Sequence, residues 1–450
     1  MPDGEGFGFW DWVKKPWIRR AMERGRPGRA KPTVPPTPAL LRKLVFGPVI
    51  KDREAYRETL KLSGPEANPI LLEALRNPRV RASKPYGDGF YAPSPLRMVV
   101  EQLQIRILPE ALPDLIQLLD HSDELVRREA AEAVGLLGDV AGADALGRSL
   151  THPDPNVRSC AAIGVRKACN DGRATPVFRE AMFDRVRPLI NDPEDYPTER
   201  GTAALLALDQ EGALAILLDP ANFHARNEKL QRHLVALRET RTPVPFDRLA
   251  ALVADLRPLV GEYPFEYTCR EALLVLGQTQ HPDAEAILLD AMTWGNEQVV
   301  GGAAGGLQML AGVEEPYAFV WDRVYKDGFG KLTDPQRAYL ILNLLDAEVC
   351  NGGFHQYYVN SYSENAHLAP AAATLVGAPD YLELIRKANA CFGPDGPPSD
   401  RDLRHERLSR FTPGVDETLR KLDSEYYARP VKLPALLSLF AARHAEHFRA

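Results

Sequence analysis

The amino-acid sequence predicts an all-α fold, in which a solenoid of paired helices precedes a smaller helical domain at the C-terminus. From Leu40 onward, apolar residues recur at the three- and four-residue spacings of amphipathic helices. Similar short segments recur 31 residues apart, which indicates a repeat array. The stretch 340–361, LILNLLDAEVCNGGFHQYYVNS, has a different composition and predicts a separate helical unit.

Length and composition are those of an ordinary globular protein. A chain of 450 residues exceeds what one compact core normally holds and fits two or three units. Five scattered cysteines without a CxxC pair predict neither a disulfide framework nor a cysteine zinc site. Because no run of eighteen apolar residues and no apolar signal core occurs, we expect neither a membrane span nor secretion, and a cytoplasmic location.

Residues 1–39 form a basic, aromatic and proline-rich arm that is expected to act as a linker. Residues 1–45 carry 10 Lys and Arg against 4 Asp and Glu, whereas residues 46–330 carry 31 against 42. Three of the five tryptophans, Trp10, Trp12 and Trp17, lie in the arm. One interpretation is a docking peptide for an anionic partner or membrane surface. The other is that its aromatic residues fold back onto the chain's own surface.

Residues 40–330 are predicted to form the repeat solenoid. Segments beginning at Met98, Glu129 and Cys160 recur, and aspartates and valine-arginine pairs precede the last two. The stretch Asp123 to Gly135 resembles the short bacterial HEAT repeat, whose signature is D-x-x-V-R-x-x-A-A-x-A-L-G. We expect the aspartate to cap a helix and the alanines to let helices approach closely.

Degenerate copies of the repeat follow at 201–208, 230–237, 269–277 and 300–310. With them we expect a right-handed α-solenoid of about six or seven helix pairs, stabilised by contacts between neighbouring repeats. The loop 79–95 interrupts the early repeats. It is interpreted either as part of a working face or as a simple insertion.

The segment 338–349 places Ala338, Ile341, Leu345 and Val349 on one helical face. Asparagine and glycine tolerate the left-handed conformation that ends helices, so Asn351, Gly352 and Gly353 are predicted to stop this helix. Aromatic residues then resume helical spacing from Phe354 to Tyr362. The prediction is two helices that meet at a glycine corner.

The motif and the segments that follow it resemble the domain of unknown function found in the DNA-mimic protein (DMP) family. The family pattern is an NGGF-Q-Y-F-N-S run after an acidic helix, later followed by a leucine, acidic and tyrosine pattern that 422–427, LDSEYY, resembles. Tyr358 departs from the usual phenylalanine. The resemblance covers about 332–448, so residues 331–450 are assigned to a DMP-like helical domain. It implies no reaction.

The motif residues are candidates for binding, because their amides and hydroxyls can line a polar pocket or a peptide groove. Equally, such groups can satisfy the backbone at a helix corner and fix its angle. Both interpretations remain open. The candidate residues are Asn351, Gly352, Gly353, Phe354, Gln356, Tyr357, Asn360 and Ser361.

No catalytic, cofactor or metal site is predicted. Cys350 and His355 flank the glycines, but no orienting group or oxyanion-hole motif accompanies them. A third metal ligand is not evident beside His444 and His447. Two further groups, His367 with Glu364 and Glu446 beside the two terminal histidines, are not predicted to form a site either. Nucleotide and metal motifs of the GxxxxGK[ST], GxGxxG and HExxH types are absent.

The predicted function is a non-catalytic interaction or scaffold protein, which binds a protein through the concave solenoid face with help from Gln356, Tyr357 and Asn360. The first alternative is a DNA mimic or nucleic-acid-related regulator. A balance of 14 basic and 15 acidic residues in 331–450 disfavours mimicry, and an acidic solenoid disfavours DNA binding. A further alternative is an enzyme with a concave-face pocket, since HEAT-like repeats also resemble bilin lyases and base-excision glycosylases.

Overall fold

The computed structural model describes residues 46, 63–83 and 94–449. This part of the chain consists of helices, turns and irregular segments and contains no strand, so the all-α prediction is confirmed. Contacts divide it into two compact units, one that ends at Thr242 and one that begins at Pro243. The N-terminal arm and most of the loop 79–95 lie outside the described residues.

The first unit contains eleven helices in the part described, up to Thr242. Their bounds are α1 Asn68–Arg76, α2 Pro78–Arg81, α3 Pro95–Arg106, α4 Leu112–Leu118, α5 Glu124–Leu137, α6 Ala143–Leu150, α7 Pro155–Asn170, α8 Pro176–Val186, α9 Asp195–Leu208, α10 Gln210–Leu217 and α11 Leu230–Thr240. Helices α3, α5, α7, α9 and α11 pack in succession and form one layer. The shorter helices between them form the other layer.

The repeat is visible in the hydrogen bonds that begin α5 and α7. Asp123 and Asp154 each accept a backbone N–H two residues ahead at 2.9 Å, as the predicted caps require. Two residues before each aspartate, a histidine Nδ1 accepts the aspartate N–H at 3.0 and 2.9 Å. Arg127 and Arg158 then donate to the carbonyls of those histidines. Identical contacts 31 residues apart show that the two turns are copies.

Glycine sets the close approach of α5 to α7. A Cβ on Gly164 would lie 2.4 Å from the Glu132 carbonyl oxygen, and one on Gly135 would lie 2.9 Å from the Gly164 backbone. Alanines such as Ala131 and Ala161, which are completely buried, complete this contact. Charged side chains also join neighbouring repeats, since Arg158 forms a two-pronged ion pair with Asp192, with both N···O distances at 2.7 Å.

The second unit contains another eleven helices between Pro243 and Arg449. They are α12 Phe246–Leu256, α13 Phe265–Gln278, α14 Ala284–Ala291, α15 Glu297–Leu310, α16 Pro316–Asp327, α17 Asp334–Val359, α18 Ala369–Val376, α19 Pro379–Ala390, α20 Arg401–Leu408, α21 Pro413–Tyr427 and α22 Leu433–Arg443. Helices α13 and α15 repeat the close packing of α5 and α7, because a Cβ on Gly277 would lie 2.2 Å from the Gly306 carbonyl oxygen.

Helix α17 lies at the centre of the C-terminal half of this unit and contacts α18, α20, α21 and α22. A Thr333–Gln336 capping box begins it. Its buried apolar face joins one hydrophobic core that also contains Val313 and Val320. These valines precede residue 331, so the core extends to the N-terminal side of the boundary that the sequence predicts at that residue. The boundary itself stays a prediction. Helix α16 ends at Asp327, close to this boundary.

No helix in the described ranges combines the length and the apolar character that a bilayer crossing requires.

Candidate functional site

The glycine corner divides α17 into two helical segments. Gly352 (φ −173°, ψ 26°) and Gly353 (φ 79°, ψ −180°) interrupt helical geometry between the segments 334–351 and 354–359. Only Gly353 has a positive φ, in a region that is almost exclusive to glycine. The predicted glycine corner is therefore present, but only Gly353 needs the conformational freedom of glycine, since the extended φ of Gly352 suits any residue.

Asp423 on α21 closes the corner from outside. Its Oδ1 accepts the backbone N–H of Phe354 at 2.7 Å, at the start of the second helical segment. A carboxylate at this position satisfies a free donor and complements the positive helix end. Burial raises the pKa of Asp423, while the Phe354 N–H and His355 act in the opposite direction. A Cβ on Gly353 would lie 2.3 Å from Asp423 Oδ2, so the residue at 353 must be small.

Two tyrosines of α21 hold the first helical segment. Tyr427 donates its hydroxyl to the Val349 carbonyl, one of the acceptors left free where the segment ends. Tyr426 donates to Asp346 Oδ1 at 2.7 Å. Burial raises the pKa of Asp346 to about 6, an effect that the Tyr426 hydrogen bond partly offsets. The LDSEYY segment therefore fixes both sides of the corner.

The aromatic residues of the motif form its core. Phe354, Tyr357 and Tyr358 are each at most 1% exposed, and the Phe354 ring meets Tyr426 edge-on at 5.8 Å between centroids. The Tyr358 hydroxyl donates to Asn389 Oδ1 at 2.7 Å, so the departure from phenylalanine brings its own partner. Because Tyr357 is buried, it does not reach a surface partner in this structure.

Arg404 of α20 anchors the end of the second segment. Its side chain is completely buried, and it donates to the carbonyls of Tyr358, Asn360, Pro398 and Ser399 at 2.8 to 3.3 Å. Burial lowers the pKa of its guanidinium. Five donors in one plane suit several carbonyls at once, so arginine ties the helix end to the loop before α20.

Glu348, Gln356 and Asn360 form a polar group on either side of the corner. Glu348 Oε2 accepts from Gln356 Nε2 at 3.3 Å and from Asn360 Nδ2 at 2.6 Å. Glu348 is only 9% exposed, although a charged residue in an amphipathic helix is normally solvated. Two of the predicted candidates, Gln356 and Asn360, are thus brought together around a carboxylate.

The other predicted candidates lie differently. Asn351 and Gly352 are exposed at the corner, and the side chain of Ser361 lies outside the described part of the chain. The corner consequently separates into a buried aromatic part, a backbone-holding part and the polar group around Glu348.

The side chains first considered for catalysis do not assemble a reactive pair. Burial and the nearby Asp346 carboxylate raise the pKa of the Cys350 thiol to about 12, far from the range of an activated nucleophile. The Cys350 sulfur contacts Asp346 Oδ1 at 3.8 Å. His355, by contrast, interacts electrostatically with Asp423 and lowers the pKa of that carboxyl.

The histidines near the C-terminus are equally separate. The His444 ring packs at a tilt against Phe440, with centroids 4.5 Å apart, and lies 6.3 Å from the ring of His447. His447 Nε2 faces Glu446 at 3.5 Å. Glu364 and His367 are exposed. Across residues 63–83 and 94–449, no group of three His, Cys, Asp or Glu side chains has the geometry to hold a metal ion.

Sequence reasoning missed the four charged residues that organise this region. They are Asp346, Glu348, Arg404 and Asp423. Asp423 belongs to the LDSEYY segment, and the family resemblance of that segment is the only sequence feature that points to this residue. The others stand among ordinary polar helix residues, and their partners lie across the corner or on other helices.

Comparison with protein families matches two parts of the chain. Residues 330–444 match the family described as DMP19-like protein, and residues 96–166 and 112–192 match HEAT repeats. The chain carries HEAT repeats and a DMP19-like domain. Both resemblances inferred from the sequence are therefore confirmed, and α3 to α8 with the turn that follows them are HEAT repeats. The glycine corner and the LDSEYY segment both fall within the DMP19-like domain.

The solved structures that match the chain are distant from it. A chain of the Kap95:Nup1 complex is 12% identical with a TM-score of 0.41. A second chain, from the structure in which Kap95p binding induces the switch loops of RanGDP to adopt the GTP-bound conformation, is 13% identical with a TM-score of 0.35. In each case the alignment covers 96% of this chain and 64% of the other. No curated protein matches the chain.

Proposed function

We propose that this protein is a non-catalytic interaction protein whose HEAT repeats bind another protein. The observation that carries the proposal is the exposure of one large apolar side chain near the C-terminal end of each of three consecutive HEAT helices, α3, α5 and α7. Ile105, Val140 and Val177 are 55%, 45% and 60% exposed. We name these three residues the apolar edge.

The apolar edge follows the repeat. Ile105 lies in the last turn of α3, Val140 directly after α5, and Val177 in the first turn of the helix that follows α7. Since α3, α5 and α7 are consecutive members of one layer, their C-terminal ends face the same edge. One apolar residue per repeat in a row supports a protein partner better than isolated apolar residues would.

The contacts of the charged side chains also favour a non-catalytic protein that binds a protein partner. Arginines of the HEAT repeats bind groups of neighbouring repeats: Arg158, in the first turn of α7, binds Asp192, and Arg173, which follows α7, binds the Leu136 carbonyl at the end of α5. Such arginines hold repeats together and are not available as phosphate contacts. In the DMP19-like domain, Cys350 lacks the lowered thiol pKa that nucleophilic catalysis uses.

Quantitative affinity capture tests the proposal. The full chain is compared with a triple variant, Ile105→Ser with Val140→Ser and Val177→Ser, and with the control Tyr196→Ser. Tyr196 is 63% exposed in the same unit but lies at the start of α9, away from the apolar edge. We expect the parent and the control to capture at least one protein in common, and that protein to capture the chain in the reciprocal experiment. The triple variant should capture at least tenfold less of it.

Equal capture by the triple variant would contradict the proposal. A nucleic-acid function predicts a different result: duplex DNA binding by residues 40–450 at physiological salt, with a steep decrease as salt rises. Removing residues 1–39 takes away eight of the ten Lys and Arg residues of 1–45.

A further inference from the structure

We propose that the polar group around Glu348 is a receptor for one lysine or arginine side chain of a protein partner, which rests on the proposed interaction function. We name the group the Glu348 recess and define it by Glu348, Gln356, Asn360, Tyr362 and Tyr325. It lies in the DMP19-like domain, between the end of α16, the two segments of α17 and the turn that follows.

The first argument is an unpaired buried carboxylate. Glu348 is 9% exposed, yet among the described residues it forms no ion pair, and its Oε1 receives no hydrogen bond. A buried carboxylate is normally paired with a cation or held by several donors. The Arg404 guanidinium is not that cation, because four backbone carbonyls occupy it. The recess therefore lacks a positive group.

The second argument is that the recess offers acceptors and uses up its donors. Gln356 and Asn360 both direct their amide N–H groups to Glu348 Oε2, at 3.3 and 2.6 Å. Their carbonyl oxygens accept no hydrogen bond from other described residues. A ligand that only donates is complementary to such a lining, and ammonium and guanidinium are the protein groups that only donate.

The third argument is the aromatic rim. Tyr362 and Tyr325 are 43% and 47% exposed. Burial raises the pKa of the Tyr362 hydroxyl, and the neighbouring Glu348 and Tyr325 raise it further. Tyr325 itself stacks at a tilt on Trp321 with centroids 5.6 Å apart. Aromatic faces beside a carboxylate attract an organic cation and its alkyl stem.

A metal ion fits less well. Divalent calcium takes six to eight oxygen ligands, usually with more than one carboxylate. The recess has a single carboxylate and two amide oxygens, which is fewer than calcium requires and suits a single organic cation.

The recess is also held in place before any ligand arrives. The Asn360 carbonyl accepts from Arg404 at 3.3 Å and from the Ser363 hydroxyl at 2.7 Å. His405 Nε2 contacts the neighbouring Val359 carbonyl at 2.6 Å. These contacts fix the backbone that carries the Asn360 amide, so little ordering is left to oppose binding.

Peptide display on the full chain tests the proposal. A random peptide library is selected in parallel on the parent and on Glu348→Gln, and the peptides bound by the parent are measured by fluorescence anisotropy. We expect parent-selected peptides to share one essential Lys or Arg. Replacing that residue with norleucine or citrulline, which are neutral, should weaken binding at least tenfold, as should Glu348→Gln.

Two tyrosine variants refine the result. Tyr362→Ala should weaken the selected peptide at least threefold, whereas Tyr263→Ala, at an 82% exposed tyrosine of the same unit, should leave it unchanged. Failure of Glu348→Gln to fold would not remove the test, because the norleucine and citrulline peptides change only the ligand.

Binders that do not depend on Lys or Arg, or that bind Glu348→Gln equally well, would overturn the proposal, and so would a library that yields none. If such a result accompanied partner capture through the apolar edge, only the recess would be refuted and the interaction function would stand. Equal capture by the parent and the triple variant, together with a Glu348-dependent peptide, would refute the role of the apolar edge instead.

Discussion

Asp423 Oδ1 accepts the backbone N–H of Phe354 at 2.7 Å, and this bond joins the two sequence motifs of the DMP19-like domain. NGGF supplies the interrupted helix and LDSEYY supplies the side chains that close the interruption. Tyr427 serves the end of the first segment and Asp423 the beginning of the second. The two motifs are therefore one structural joint.

Replacing Gly353 is expected to destabilise the protein far more than replacing Gly352. Gly353→Ala combines a positive φ with a Cβ 2.3 Å from Asp423 Oδ2, and the backbone term alone costs about 1–3 kcal/mol. A Cβ on Gly352 meets only the flexible Gln356 side chain, at an extended φ. Urea unfolding of both variants measures the difference.

Gly377→Ala is the matched control for the backbone term. Gly377 also has a positive φ, of 77°, but no atom lies within 4 Å of its added Cβ. We therefore expect a loss between those of the other two variants. Equal losses at positions 352 and 353 would show that the corner is not fixed by Asp423.

Local features of this chain were predictable and long-range partners were not. The 31-residue period, the caps at Asp123 and Asp154, and the corner at the two glycines all depend on residues close in sequence. Asp346 and Glu348 gave no such signal. The hydrogen-bond partner of Asp346 is Tyr426, 80 residues away. Glu348 is bound by the side-chain amide of Asn360, which lies beyond the glycine corner. Periodicity in one sequence assigns a charged helix residue to solvent, and only tertiary structure reverses that assignment.

Opposite outcomes are expected at two glycines of α15. Gly306→Ala should destabilise by about 1–3 kcal/mol, because its Cβ would lie 2.6 Å from the Leu273 carbonyl oxygen and from a Leu288 methyl. Gly301→Ala should stabilise by about 0.5–1 kcal/mol, since its Cβ meets nothing within 4 Å and alanine favours the helix. Thermal or urea unfolding of the two variants gives the signs, and matching signs would contradict the packing of α13 against α15.

Fragments test where the DMP19-like domain begins. Val313 and Val320 are completely buried in its core but precede the predicted boundary at residue 331. Burial of each valine contributes roughly 1.5–3 kcal/mol, so residues 313–450 should be several kcal/mol more stable than residues 331–450. Urea unfolding of both fragments, followed by circular dichroism, measures this. Equal midpoints would favour the boundary at residue 331 that the sequence predicts.

The stability of the second unit should fall as pH rises through about 6, because of Asp346. Burial raises the pKa of this carboxyl to about 6 from 3.8, so folding favours its protonated form. The stabilisation is fully present below about pH 4 and is lost as pH rises past 6. This difference between the two pKa values of Asp346 corresponds to a stabilisation on the order of 3 kcal/mol.

Asp346→Asn separates this contribution from all others. The amide stays neutral at every pH and keeps an oxygen that can accept from Tyr426, so its stability should decline less than that of the parent between pH 4.5 and 7.5. Other carboxyls, including Asp423, are common to both proteins and cancel in the difference. Glu425→Gln, at an exposed carboxyl on α21, serves as the control and should follow the parent. Unfolding free energies from urea titrations at each pH provide the comparison. Parallel curves for parent and Asp346→Asn would show that Asp346 does not titrate in this range, and that the Tyr426 hydrogen bond holds it ionised.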